Sequence, residues 1–158
     1  MKKLLQASLI LIIFAISIII FQVSCTKKGD AQTNILTKDQ ILVQKTWKVD
    51  QLHHVIACQY SSYISGGANT TGISYDKLRF TFNVDGSGTH IDQFSTSHPL
   101  TWQFTTTDKR TLQVTIAGSD PTIWQMVEIA GSYLHASVNL TINGNSNNIE
   151  TFRLIQIN

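Results

Sequence analysis

The chain has 158 residues, 42% of them hydrophobic, and a formal net charge of +2 at pH 7. This length is enough for one domain with its own hydrophobic core. Lys2 and Lys3 account for the positive excess, so the remaining basic residues balance the acidic ones, and without a basic stripe we expect no nucleic-acid partner.

The first 25 residues have the order of a bacterial secretion signal. Lys2 and Lys3 precede an almost unbroken apolar run over residues 4–21, and Cys25 directly follows the small residue Ser24. This end resembles the lipobox of bacterial lipoproteins. An uncleaved transmembrane helix is the alternative, because a run of 18 residues is near the shortest that spans a bilayer.

The lipobox resemblance implies a signal peptide over residues 1–24 and an acylated N-terminus at Cys25, held at the membrane by at least two acyl chains. Residues 25–34 are polar and predict a lipidated flexible tether to a domain over 35–158. The protein is then exported and lipid-anchored to the bacterial cell envelope, with the outer membrane expected. Cys58 remains unpaired, and we expect it to be tucked against the domain.

A short helix is predicted over residues 35–43. Thr37 is a suitable N-cap, and Gln40 three residues later completes a capping-box pattern. Ile41 and Leu42 give this helix one apolar patch.

From Thr46 onward the sequence has a β pattern, rich in threonine and β-branched residues, in which apolar and polar residues alternate. Eight strands are predicted, over residues 46–56, 78–84, 89–94, 100–106, 111–117, 122–130, 132–142 and 149–157. The sixth is ambiguous, because Ile123 and Val127 lie on one face while Trp124 and Met126 lie on the other.

The connections predict how these strands are arranged. Residues 85–88 contain two glycines and predict a tight hairpin turn. The longer connections follow alternate strands, so an up-and-down arrangement gathers them at one end, with residues 57–77 as a lid. We therefore predict an all-β fold, an antiparallel up-and-down eight-stranded β-barrel, which is filled by side chains or holds one small ligand. An open two-sheet sandwich is the alternative.

Residues 45–158 resemble the lipocalin-like lipoproteins of bacteria. The residues that carry the likeness are Trp47 within 45–49, the hairpin 80–88, the segment 100–104 and Arg153 in the closing strand. The resemblance implies a lipocalin-like barrel in which Arg153 packs over Trp47 at the base, as a structural cation–π pair.

The sequence contains no nucleophile elbow, no phosphate-binding glycine loop and no metal-spaced cluster, so we expect no enzymatic activity, no metal and no cofactor. His53 and His54 are adjacent and would point to opposite faces of a strand. Glu128 and His135 would pair across a hairpin, either as an outward contact or as a polar anchor inside the barrel.

Aromatic side chains are the predicted ligand contacts, because ligand sites are concave and mostly apolar. They are Tyr60 and Tyr63 in the lid and Phe80, Phe82, Trp102 and Phe104 in the barrel interior. The predicted function is binding of a small hydrophobic ligand by a membrane-anchored lipoprotein. The alternative is a non-enzymatic structural or protein-interaction domain with a filled barrel and an exposed apolar patch.

Overall fold

The computed structural model describes residues 35–142 and 144–158. The predicted signal peptide, the predicted lipidation site at Cys25 and the predicted tether lie outside these described residues. Within the described part of the chain, no helix is long and apolar enough to cross a membrane.

The described residues form one short helix and nine strands. The helix is α1 (Lys38–Leu42), and the strands are β1 (Thr46–Ile56), β2 (Gln59–Ile64), β3 (Arg79–Phe82), β4 (Ser87–Ile91), β5 (Ser97–Phe104), β6 (Leu112–Ile116), β7 (Thr122–Ala130), β8 (Tyr133–Ile142) and β9 (Asn145–Ile157). The predicted cap of the helix is confirmed, because the backbone N–H and the hydroxyl of Thr37 both donate to Gln40 Oε1, at 2.9 and 3.1 Å.

The strands form an antiparallel sheet that closes on itself. From β3 to β9 each strand pairs with the next in the chain, and β1 pairs with β3 on one side and with β9 on the other. The β1–β9 pairing is long, from Thr46 opposite Ile157 to Val55 opposite Ile149. The predicted eight-stranded barrel is therefore confirmed, with β2 as one additional strand outside the closed ring.

The prediction of a single long lid over residues 57–77 is wrong. The chain turns back at Ala57 and Cys58 and forms β2, which pairs with the second half of β1. Both turn residues have positive φ, 49° and 64°, as a tight hairpin turn requires. Cys58 consequently projects from the turn and is exposed rather than tucked against the barrel, and the segment that remains between β2 and β3 is residues 65–78.

The base of the barrel, at the end where β3, β5 and β7 finish, is closed by α1. Trp47 is fully buried and its Nε1–H donates to the Leu42 carbonyl oxygen at 2.8 Å. Lys38 Nζ donates to the Val127 carbonyl oxygen at 3.3 Å, and the Gln156 side-chain amide donates to a carbonyl oxygen of α1 at 3.1 Å. The helix is thus fixed to β7 and β9, and the opposite end, where the longest connection (residues 65–78) lies, is the mouth.

The ambiguous pattern of β7 is explained by a β-bulge. The pairing with β8 shifts register between Gln125 and Glu128, and Met126 has a φ of 53°. An extra residue at this point changes which face the following residues occupy. Trp124 and Val127 are therefore both buried, whereas Met126 is 58% exposed.

Candidate functional site

The barrel interior contains a cavity of about 300 Å³ that opens towards the mouth. Small-molecule pockets measure roughly 300–1,000 Å³ and are mostly apolar, so this cavity is at the small end of that range. The residues that line it are Val49, Leu52, Tyr75, Leu78, Phe80, Val114, Ile116, Thr122, Trp124, Val138, Leu140, Glu150, Phe152 and Leu154. Most of them occupy inward-facing positions of their strands, because successive side chains of a strand point to opposite faces of the sheet. The apolar lining is therefore built from several strands.

Three aromatic rings from different strands pack edge to face along the cavity wall. The Trp124 ring lies 4.8 Å from the Phe152 ring and 5.2 Å from the Phe80 ring, with interplanar angles of 75° and 90°. Edge-to-face packing fixes the orientation of these rings. The apolar part of the cavity is therefore a preformed surface.

One part of the mouth side of the cavity, between β1 and β9, is polar. His54 Nε2 and Glu150 Oε2 are 2.6 Å apart, with exposed side-chain fractions of 13% and 25%. The Tyr75 ring packs edge-on against the His54 ring at 6.4 Å. We call His54, Tyr75 and Glu150 the polar rim. Burial raises the pKa of Tyr75, and the negative charge of Glu150 adds to that effect, so its hydroxyl stays protonated at neutral pH.

A β-bulge in β1 brings His54 to this rim. The β1–β9 register shifts between Val49 and Gln51, so Leu52 and His54 follow Val49 on the inward side. His54 then lies directly opposite Glu150 on β9. Without this shift, the alternation of side chains along β1 would place His53 on the inward side instead of His54.

Tyr63 packs against Tyr75 of the polar rim and does not itself line the cavity. Its hydroxyl donates to Asp76 Oδ1 at 2.5 Å, and its ring packs edge-on against Tyr75 at 5.3 Å. Burial raises the pKa of Tyr63, and its hydrogen bond to Asp76 raises it further. Tyr63 thereby holds Tyr75 in place over the cavity.

The other predicted ligand contacts lie in different places. Phe80 lines the cavity, whereas Phe82 is buried in the core beside it, only 1% exposed. Trp102 is anchored by its indole N–H to the Asn83 carbonyl oxygen at 3.0 Å. Phe104 packs against Trp102 at the basal end of β5, and Tyr60 is 64% exposed.

Trp47 and Arg153 are not stacked on each other. Trp47 is inside the barrel, while the Arg153 guanidinium bonds the Asp50 carboxylate, with Nε to Oδ2 at 2.8 Å. Both neighbours of Arg153 in β9, Phe152 and Leu154, are buried. Alternation along the strand therefore directs Arg153 to the outer wall.

The predicted pairing of Glu128 with His135 is formed across the β7–β8 hairpin. Glu128 is exposed there, and the Tyr133 hydroxyl donates to it at 3.3 Å. The two residues are therefore neighbours on the outer face of the barrel and not a polar anchor inside it. The carboxylate that reaches the cavity is Glu150, which the sequence interpretation missed although it alternates with Phe152 along β9.

A second polar group lies inside the barrel on β4 and β5. His90 is 9% exposed, and its ring lies 6.0 Å from the ring of His98. His98 Nε2 is 3.2 Å from Asp92 Oδ2. Among the residues that the structure describes, no group of three His, Cys, Asp or Glu side chains is arranged to hold a metal ion.

The chain matches no family model, no curated protein and no solved structure.

Proposed function

We propose that this protein is an exported, lipid-anchored lipoprotein whose barrel binds a small hydrophobic molecule. The observation that carries the proposal is the cavity of about 300 Å³, lined mostly by apolar side chains and open towards the mouth. A cavity of about 150 Å³ is enough to take up benzene. A molecule with one or two rings, or a short alkyl chain, is the appropriate size.

The lipid anchor is supported by the N-terminal sequence. Lys2, Lys3 and the apolar run over residues 4–21 are a secretion signal, and Cys25 follows Ser24 at its end. Acylation of Cys25 would hold the barrel at the bacterial cell envelope, with the outer membrane expected.

The experiment fills the cavity and asks whether a ligand is lost. Val138 is 5% exposed and lines the cavity, so Val138→Phe places a phenyl ring in the space a ligand would use. Asn139→Phe adds the same ring at an exposed position of the same strand. The wild-type chain and both variants are extracted from membranes of the native host and compared by native mass spectrometry.

We expect a bound small molecule on the wild-type chain and on Asn139→Phe, and its loss from Val138→Phe. Near-UV circular dichroism verifies that both variants keep their tertiary packing. An apo mass for the wild-type chain, together with no uptake of an added two-ring compound, would contradict the ligand-binding proposal. The protein would then be an interaction domain on a lipid anchor.

A further inference from the structure

The polar rim places one negative charge against an otherwise apolar cavity. Glu150 is the only carboxylate among the cavity-lining residues described, and no lysine or arginine is among them. In a medium of low dielectric constant, a charge at this position has a strong influence on which ligand end groups are accepted.

The Glu150 carboxylate can accept further hydrogen bonds. A carboxylate has two oxygens and accepts about four hydrogen bonds. Oε2 accepts from His54, whereas Oε1 has no hydrogen-bond partner within residues 35–142 and 144–158. The bond from His54 holds the carboxylate side chain in place without saturating it.

Arg79 and Arg153, on the two strands that flank β1, bind other groups. Arg79 Nη1 donates to the carbonyl oxygens of Asp76 and Leu78, at 2.6 and 2.8 Å. Arg153 is held by Asp50 on the outer wall. His54 occupies Oε2, and no lysine or arginine lines the cavity, so a positive group that meets Oε1 of Glu150 is expected to come from the ligand.

We propose that the cavity selects a hydrophobic amine, with the apolar body against the aromatic wall and the protonated amino group donating to Glu150 at the polar rim. This inference rests on the proposed function and names the ligand class. A hydrophobic carboxylic acid of the same size would place its negative charge beside that of Glu150, and a neutral alcohol would form only an ordinary hydrogen bond.

The test compares three compounds that share a naphthalene body: 2-naphthylmethylamine, 2-naphthylmethanol and 2-naphthoic acid. Binding is measured by equilibrium dialysis against the full mature chain in zwitterionic nanodiscs, with protein-free nanodiscs as the blank. We expect the amine to bind about tenfold more tightly than the alcohol, the usual advantage of a charge-assisted hydrogen bond, and the acid to bind most weakly.

Variants test whether Glu150 causes this order. Glu150→Gln removes the charge and keeps the shape, so we expect the amine to lose about tenfold in affinity while the alcohol changes little. Glu128→Gln makes the same change on the outer wall and is expected to leave all three affinities unaltered. The ranking on the wild-type chain needs no variant, so the test holds even if Glu150→Gln is unstable.

The outcomes separate this inference from the proposed function. Equal or tighter binding of the acid, or an unchanged amine affinity in Glu150→Gln, overturns the amine inference and leaves a cavity for hydrophobic ligands. Absence of binding above the blank for all three compounds overturns the proposed function and the inference with it.

Discussion

His90 is a buried imidazole whose surroundings disfavour its charged form. Its ring lies 4.9 Å from the Phe80 ring, and its Nδ1 has no hydrogen-bond partner within the described part of the chain. Burial lowers the pKa of His90, and repulsion from His98 lowers it further. The barrel therefore holds His90 in its neutral form.

This pKa shift predicts that the protein loses stability as the pH falls below about 6.5. In the unfolded chain His90 takes up a proton near that pH, whereas in the folded barrel it does so only at lower pH. The unfolded state then binds more protons, and the free energy of unfolding decreases with falling pH. Melting temperatures of the full chain at pH 7.5 and pH 5.5, followed by tryptophan fluorescence, measure the effect.

Two variants assign the effect to His90. His90→Gln is expected to reduce the difference between the two melting temperatures, and His135→Gln, which replaces a histidine on the outer wall, is expected to retain it. A full acid-induced fall in His90→Gln would show that another group is responsible. The lowered pKa of Asp92, caused first by its hydrogen bond from the Thr96 N–H, acts below about pH 4 and does not overlap this range.

At the scale of single elements, α1 and β1 are joined by one buried hydrogen bond. Trp47 and Leu42 are both 0% exposed, and the indole N–H satisfies the carbonyl oxygen at the end of the helix. A helix end has carbonyl groups without partners in the helix, and a buried one requires a donor from elsewhere. Trp47 therefore both fills the base of the barrel and terminates α1.

Trp47→Phe is expected to lower the free energy of unfolding by about 1–3 kcal/mol, because it leaves a buried carbonyl oxygen without a donor. The matched control is Trp102→Phe, which removes an indole N–H from a partly exposed position where water can replace it. Urea unfolding of both full-length variants measures the difference. A loss for Trp102→Phe as large as that for Trp47→Phe would argue that ring size alone determines the effect.

At the scale of the whole molecule, the inner faces of the paired strands β1 and β9 change from apolar at the base to polar at the mouth. Along β9, Leu154 and Phe152 are followed towards the mouth by Glu150 and Asn148. The same change occurs along β1, from Trp47 to His54. The inner end of a bound ligand would therefore contact apolar side chains, and its outer end would contact a carboxylate. This arrangement favours a molecule with one polar end group.

The proposed lipid anchor is tested by substitution of Cys25. Cys25→Ser is expected to abolish incorporation of radiolabelled palmitate in the native host and to leave a precursor that retains residues 1–24, detectable by intact mass. If the apolar run is instead an uncleaved transmembrane helix, the wild-type chain carries no label and the substitution leaves its membrane association unchanged.

Local periodicity in the sequence determined the all-β class, the positions of the eight barrel strands and the cap of the helix at Thr37. These features depend on residues a few positions apart, so they are present in the sequence itself. Phe80 was correctly assigned to the interior for the same reason. The turn at Ala57 and Cys58 escaped prediction because neither residue is among those that usually adopt positive φ.

Other features follow from the three-dimensional arrangement of the strands: the size of the cavity, the inward position of His54, the meeting of His54 with Glu150 and the pairing of Arg153 with Asp50. The last three depend on the register between β1 and β9, which are about a hundred residues apart, and the bulge in β1 changes that register by one residue. A shift of one residue moves a side chain to the other face of the sheet. Alternation alone therefore predicts that a strand has an inner face, but the paired neighbours determine which residues occupy it.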